Sequence, residues 1–175
     1  MANKKGTFAI TVEPVEFKNL LKTLGSLPPE FQQEVRDRSL PLSQRLAGQL
    51  LMFAQASRTP VAQNVAESLM PKRDRLIRVD VGGPKKVGRK YGGEKRGGGK
   101  VVKQNQAPAG ALLWGSEYGS HPGVDRAGRS YTNRFGAPYK KSGYWINPAI
   151  DYYVPIIARE YTEIVKDVVK KAGME

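Results

Sequence analysis

The residues in this sequence with the most chemistry to offer are cations. Lys85, Lys86, Arg89, Lys90, Lys95, Arg96, Lys100 and Lys103 fall in one glycine-punctuated stretch, and Arg126, Arg129, Arg134, Lys140 and Lys141 fall in a second. Tyr131, Phe135 and Tyr139 stand among the second group. Clustered Lys and Arg with interleaved aromatics are what a protein needs to neutralise phosphates and stack on unpaired bases. An arm that orders against a protein neighbour has the same composition. The pattern therefore leaves two readings, direct contact with DNA or ordering at an interface.

Groups suited to catalysis are sparse. His121 is the one histidine; it precedes Pro122-Gly123 and has no partner motif, so its ordinary reading is structural or solvent-facing. Glu117, between Ser116 and Tyr118, is the one acid of an aromatic run. It reads as a buried functional carboxylate or, more ordinarily, as a strand-face residue paired with a nearby arginine. Asp74, Asp80, Asp125 and Asp151 lack the spacing of a metal loop. Gly82-Gly83 and Gly97-Gly98-Gly99 do not sit between a strand and a helix at phosphate-binding spacing. Cysteine is absent, which excludes disulfides and thiolate metal sites. The expectation is a protein that is not an enzyme and that uses no cofactor and no metal.

A length of 175 residues suits one domain with a real core. The 39% hydrophobic content reaches the globular range once the 19 glycines are added, so the chain can fold while carrying extended polar segments. Against 16 Asp and Glu stand 29 Lys and Arg, a net charge of +13, and such a field draws nucleic acid, acidic protein surfaces or anionic lipid. The first residues, Met1-Ala2-Asn3-Lys4-Lys5-Gly6, are basic like a signal peptide, but the apolar run from Phe8 to Val12 is interrupted by Thr11 and is too short. No window reaches the roughly 20 apolar residues of a membrane span. The reading is a soluble protein made in the cytoplasm.

The elements that must position these groups follow from periodicity. Thr7–Val12 alternates as a short strand, and Pro14 opens a helix over Val15–Leu24 that Gly25 stops. From Phe31 to about Ala56, apolar residues at three- and four-residue intervals predict one long helix, or two broken near Pro41. Val61, Val65 and Leu69, bracketed by Thr59-Pro60 and Met70-Pro71, make a short helical piece that covers a sheet. Arg75–Val81 reads as a strand with one wet face, ended by Gly82-Gly83-Pro84. The span 85–99 has almost no apolar content to offset its ordering entropy, so it reads as a mobile basic excursion in a hairpin whose return strand includes Lys100–Lys103. Ala111–Tyr118 reads as a second strand, with Gly115 marking a bulge or close backbone approach. Last comes the clearest helix: Asn147 as N-cap, Pro148 at the first position, an apolar stripe from Ile150 through Val168, and Gly173 as its stop. Pro155 falls inside that stripe and predicts a kink or a looser first turn.

Glu117-Tyr118-Gly119-Ser120, then a Gly/Pro/Arg loop, then Gly143-Tyr144-Trp145-Ile146-Asn147-Pro148-Ala149-Ile150 and an amphipathic helix make a longer pattern. It resembles the E-[FY]-G-[TS] … R-P-F-[LI]-x-P-A pattern of the tail-completion, or head–tail joining (neck), proteins of long-tailed bacteriophages. The order of elements resembles that family over most of the chain, while the specific motifs cover 111–172. The sequence departs from the pattern at Ser142-Gly143, where the family commonly has Arg-Pro, and 82–143 is long for it.

The resemblance implies an α+β subunit with a small curved antiparallel sheet and a long basic hairpin, packed by N-terminal helices and a C-terminal helix. It implies one domain over 1–175: a strand and helical region at 7–70, sheet at 71–120 with a basic loop at 82–106, an extended loop at 121–146, and a helix at 147–173. It further implies a non-enzymatic virion protein of the neck, a homo-oligomeric ring of hexameric or dodecameric order, assembled in the bacterial host cytoplasm. Its partners would be head connector or stopper proteins on one side and tail terminator or tail tube proteins on the other. The thirteen basic residues named above would then face neighbouring subunits or DNA in the lumen. Trp114, Glu117, Tyr118, Gly119, Tyr144, Trp145, Asn147 and Pro148 would form the scaffold, with Trp114 and Tyr118 seating a strand against the last helix. The rival reading is a stand-alone, sequence-nonspecific nucleic-acid-binding protein using the same loops.

Overall fold

The structure, a computed structural model, describes residues 6–11, 22, 24–57, 59–91, 105–124, 127–128, 130–131 and 135–173. Its largest unit is a pair of long helices, α1 (Pro29–Ala56) and α4 (Ile146–Lys171). Ion pairs join Glu34 to Lys171, Arg38 to Asp167 and Arg45 to Glu160, and the Phe53 ring meets the Tyr153 ring edge-on at 6.1 Å. Partner numbers fall along one helix as they rise along the other, so the two run antiparallel. These exposed pairs set the alignment and contribute little stability. The energy lies beneath them, where Val35, Leu42, Leu46 and Leu50 of α1 and Ile157, Tyr161, Val165 and Val168 of α4 join one buried cluster.

α1 is one helix, not two. Pro41 lies inside it on an exposed position, where the missing N–H costs one hydrogen bond in a helix of 28 residues held along its whole buried face. Ser39 Oγ donates to the Val35 carbonyl at 2.6 Å and Ser43 Oγ to the Ser39 carbonyl at 3.2 Å, so these buried hydroxyls are satisfied within the helix. α4 likewise runs through Pro155 without a break.

The sheet packed on α1 contains β1 (Thr7–Thr11), β2 (Met70–Lys72) and β3 (Arg78–Gly82), antiparallel in the order β1-β3-β2. Val79 and Val81 of β3 point into the core, whereas Arg78 and Asp80 point outward and pair at 2.8 Å, the single wet face expected of this strand. The short helix α2 (Pro60–Ala66) lies between α1 and the hairpin of β4 (Lys86–Tyr91) and β5 (Asn105–Pro108). The hairpin is therefore present, with Asn105–Pro108 as its described return strand; the expected Lys100–Lys103 lies outside the described residues. Of the early helix expected over Val15–Leu24, only Lys22 and Leu24 are described. Both are helical, and the helix continues through Gly25 to Ser26 instead of stopping at Gly25. The expected extended loop at 121–146 includes a two-strand ribbon, β6 (Gly123–Val124) with β7 (Ser130–Tyr131).

One expected strand is a helix. Ala109–Tyr118 forms α3, directly after β5. Its composition favours this outcome, since Ala, Leu and Glu are helix formers and the run has no β-branched residue. The helical period was hidden because half of the buried face is polar: Ala109, Leu113, Ser116 and Glu117 are the inward positions, at i, i+4, i+7 and i+8. Gly115 marks a close approach, as expected, but of the Phe135 ring against a helix and not of a bulged strand.

Tyr161 carries a polar group across the core. It is fully buried, its hydroxyl donates to the Arg75 carbonyl at 2.5 Å, and burial pushes the phenol well above its ordinary pKa, so it stays a donor at any working pH. Tyr161→Phe leaves that carbonyl without its donor and should cost about 1–2 kcal/mol in urea unfolding; an unchanged midpoint would show that the bond adds nothing.

Candidate interaction surfaces

The motif residues meet at one junction. Glu117, next to last on α3, is 2% exposed and faces the start of α4. Its carboxylate accepts from three successive backbone N–H groups there: Trp145 at 3.2 Å and Ile146 at 2.7 Å through Oε2, and Asn147 at 2.9 Å through Oε1. A helix N-terminus leaves such N–H groups without intrahelical partners and carries partial positive charge, and both needs are met by one side chain from a distant part of the sequence. The helix consequently starts earlier than the sequence suggests. Trp145 occupies the cap position without capping the helix through its own side chain, and Asn147 and Pro148 are the second and third helical residues, not N-cap and first residue. Asn147 Nδ2 is freed to donate to Tyr118 Oη at 3.2 Å. The ordinary expectation of an arginine partner for Glu117 is thus replaced by a helix end.

A strap formed by 137–144 closes the junction. Ser120 N donates to the Ala137 carbonyl at 3.0 Å, Lys140 N to the Tyr118 carbonyl at 2.8 Å, and Tyr144 N to the Glu117 carbonyl at 2.8 Å. Gly143 has φ +76° and presses directly on the Glu117 carboxylate, so a side chain there would collide with Oε1. Behind it Trp145 is fully buried, and its indole N–H donates to Ser116 Oγ at 3.3 Å.

Two opposing causes act on the Glu117 carboxyl. Burial raises its pKa, and the backbone N–H groups of Asn147, Ile146, Trp145 and Tyr144 lower it; burial is larger, and the net direction is upward. With the folded pKa above the unfolded value near 4.5, the stability this group contributes is complete below that pH and is lost as the pH rises through the folded pKa. The stability of the native protein relative to Glu117→Gln should therefore decline as the pH rises from about 4.5 through the raised folded pKa. Urea unfolding of both proteins across that range checks it, and a margin that grows with pH would contradict it.

Beside the junction lies a small cavity of about 130 Å³. Leu113, Ile146 and Ile150 line it with Glu117 and Asn147, and Phe8, Trp114 and Tyr118 stand at it as aromatic rings. The Trp114 and Tyr118 rings are nearly parallel, 5.9 Å apart at 14°, and Phe8 meets Trp114 edge-on at 5.8 Å. Trp114 is 59% exposed, so it does not seat a strand against α4; it is an outward residue of α3. Tyr118 and Tyr144 are half-buried, and of the expected aromatic scaffold only Trp145 is core. The sequence held a signal for Glu117, as the lone acid in an apolar run, but none for the cavity, which needs β1, α3 and α4 together.

The basic residues divide by place. Lys85 donates to the Glu67 carbonyl, and Lys86, Arg89 and Lys90 are exposed on β4. Lys140 and Lys141 are exposed on the strap, the Lys140 ammonium lying 5.3 Å from the centre of the Tyr144 ring. The hairpin enters α3 at its first residue and the strap binds its last, so the two groups lie toward opposite ends of that helix. Lys95, Arg96, Lys100, Lys103, Arg126, Arg129 and Arg134 lie outside the described residues. His121 lies flat on the Tyr139 ring at 4.2 Å. Among the described residues no group of three His, Cys, Asp or Glu could hold a metal, and no helix is long and apolar enough to cross a membrane. The arrangement presents a capped helix junction, an aromatic cavity and two cationic edges. Comparison with protein-family models, with curated proteins and with solved structures finds no match.

Proposed function

We propose that this chain is a structural subunit of a bacteriophage neck, forming a homo-oligomeric ring between the head connector and the tail. One observation carries the reading. The two halves of the tail-completion pattern, Glu117-Tyr118-Gly119-Ser120 and Tyr144-Trp145-Ile146-Asn147-Pro148-Ala149, lie far apart in sequence, yet Glu117 binds the backbone of Trp145, Ile146 and Asn147 directly. Two short motifs matched by chance have no reason to be one device, whereas a pattern kept for a fold joins its parts. A ring subunit also suits a strongly cationic chain, whose +13 charge neutralises DNA passing a lumen without reading its sequence. Lys86, Lys90, Lys140 and Lys141 are among the exposed cations suited to that work.

The test replaces residues 92–104 with an Asn-Gly turn, closing the hairpin where Tyr91 pairs with Asn105. The variant should keep the circular dichroism and unfolding midpoint of the native chain but form no rings by negative-stain electron microscopy. Rings formed normally by this variant would refute an inter-subunit role for the basic residues between β4 and β5. Tight binding of duplex DNA by the native monomer, with a steep salt dependence, would instead favour the stand-alone nucleic-acid-binding protein.

A further inference from the structure

We infer that the aromatic cavity of Phe8, Trp114 and Tyr118 is a socket for a lysine or arginine side chain of a second copy of this chain, the contact that joins ring neighbours. The inference rests on the neck reading. Its volume of about 130 Å³ decides the size of the occupant, because cofactor and small-molecule pockets run to roughly 300–1,000 Å³. The end of one side chain fits.

The lining decides its charge. The sequence has 29 Lys and Arg against 16 Asp and Glu, yet the cavity is lined by no cation and by one carboxylate, Glu117. The ring faces add to the preference. Trp114 is 59% exposed on α3, stacked with Tyr118 and met by Phe8, and exposed indole and phenol faces attract cations. The same chain supplies the cations in excess, including exposed Lys86 and Lys90 on the hairpin. An acceptor and a donor at different places on one subunit make the head-to-tail contact from which rings close.

The chain carries its own probe. It has two tryptophans; Trp145 is fully buried and Trp114 is open, so acrylamide quenching reads Trp114. Full-length protein is followed by sedimentation velocity and by quenching across a concentration series. As oligomer forms, quenching should drop several-fold, and arginine amide should restore it where sodium chloride of equal ionic strength does not. Trp114→Leu keeps apolar bulk and loses the aromatic face, so it should weaken association about tenfold, whereas Trp114→Phe retains most of it. Circular dichroism of both variants checks that they fold. Rings in which Trp114 stays as quenchable as in monomer, or Trp114→Leu assembling as the native chain does, would overturn the socket and leave the neck reading standing. A chain that never assembles overturns both.

Discussion

Glu117→Ala is expected to destabilise the protein by about 3–5 kcal/mol, the largest effect of any single truncation outside the apolar core. The carboxylate accepts from three backbone N–H groups at the start of α4, in a site that is almost fully closed to water. Leaving buried donors unpaired costs about 1–3 kcal/mol each, discounted where water enters the space left by the side chain. The loss falls on the helix that pairs along its length with α1, so it should appear as a lowered cooperative unfolding midpoint and not as local fraying. Equilibrium urea unfolding checks it, and a change below about 1 kcal/mol would show that water caps α4 as well as the carboxylate does.

Gly143→Ala should cost nearly as much, about 3 kcal/mol, for a separable pair of reasons. At φ +76° a residue with a Cβ is strained by about 1–2 kcal/mol. The added methyl also meets Glu117 Oε1, which must move off the helix end it caps. The second cost exists only while Glu117 is present. In the Glu117→Ala background the same glycine substitution should therefore retain only the backbone strain and a tight contact with Asn147 Cβ, and the two changes together should cost less than their sum. A double-mutant cycle with a coupling of about 1 kcal/mol or more is the expected result; strict additivity would separate the strap from the cap.

How much of this was legible beforehand depends on how far apart the cooperating residues lie. α1 and α4 could be read because their buried positions recur at helical spacing over many turns, and neither Pro41 nor Pro155 outweighs that repetition. The outward Arg78 and Asp80 made β3 equally plain. α3 reads as a strand because Leu112, Leu113 and Trp114 resemble a strand run, while its buried face includes Ser116 and Glu117, which a hydrophobicity pattern counts as solvent. The start of α4 was misplaced for a related reason. Asn147-Pro148 has the chemistry of a local cap, but the acceptor comes from Glu117, and no local rule anticipates a cap supplied from another element. The basic residues were legible as charge, and the structure places Lys85, Lys86, Arg89, Lys90, Lys140 and Lys141 on two edges separated by α3. The aromatic cavity had no sequence signature, because Phe8 belongs to β1, Trp114 to α3 and Ile150 to α4.

The central claim, that this chain is a ring-forming neck subunit, is tested most directly by the mass of the unmodified protein in solution. Native mass spectrometry over a concentration series, at low and at physiological salt, should find one closed, discrete homo-oligomer of high order, with monomer as its main companion. A protein that stays monomeric at every concentration, while binding duplex DNA tightly with an affinity that falls steeply as salt rises, would contradict the account.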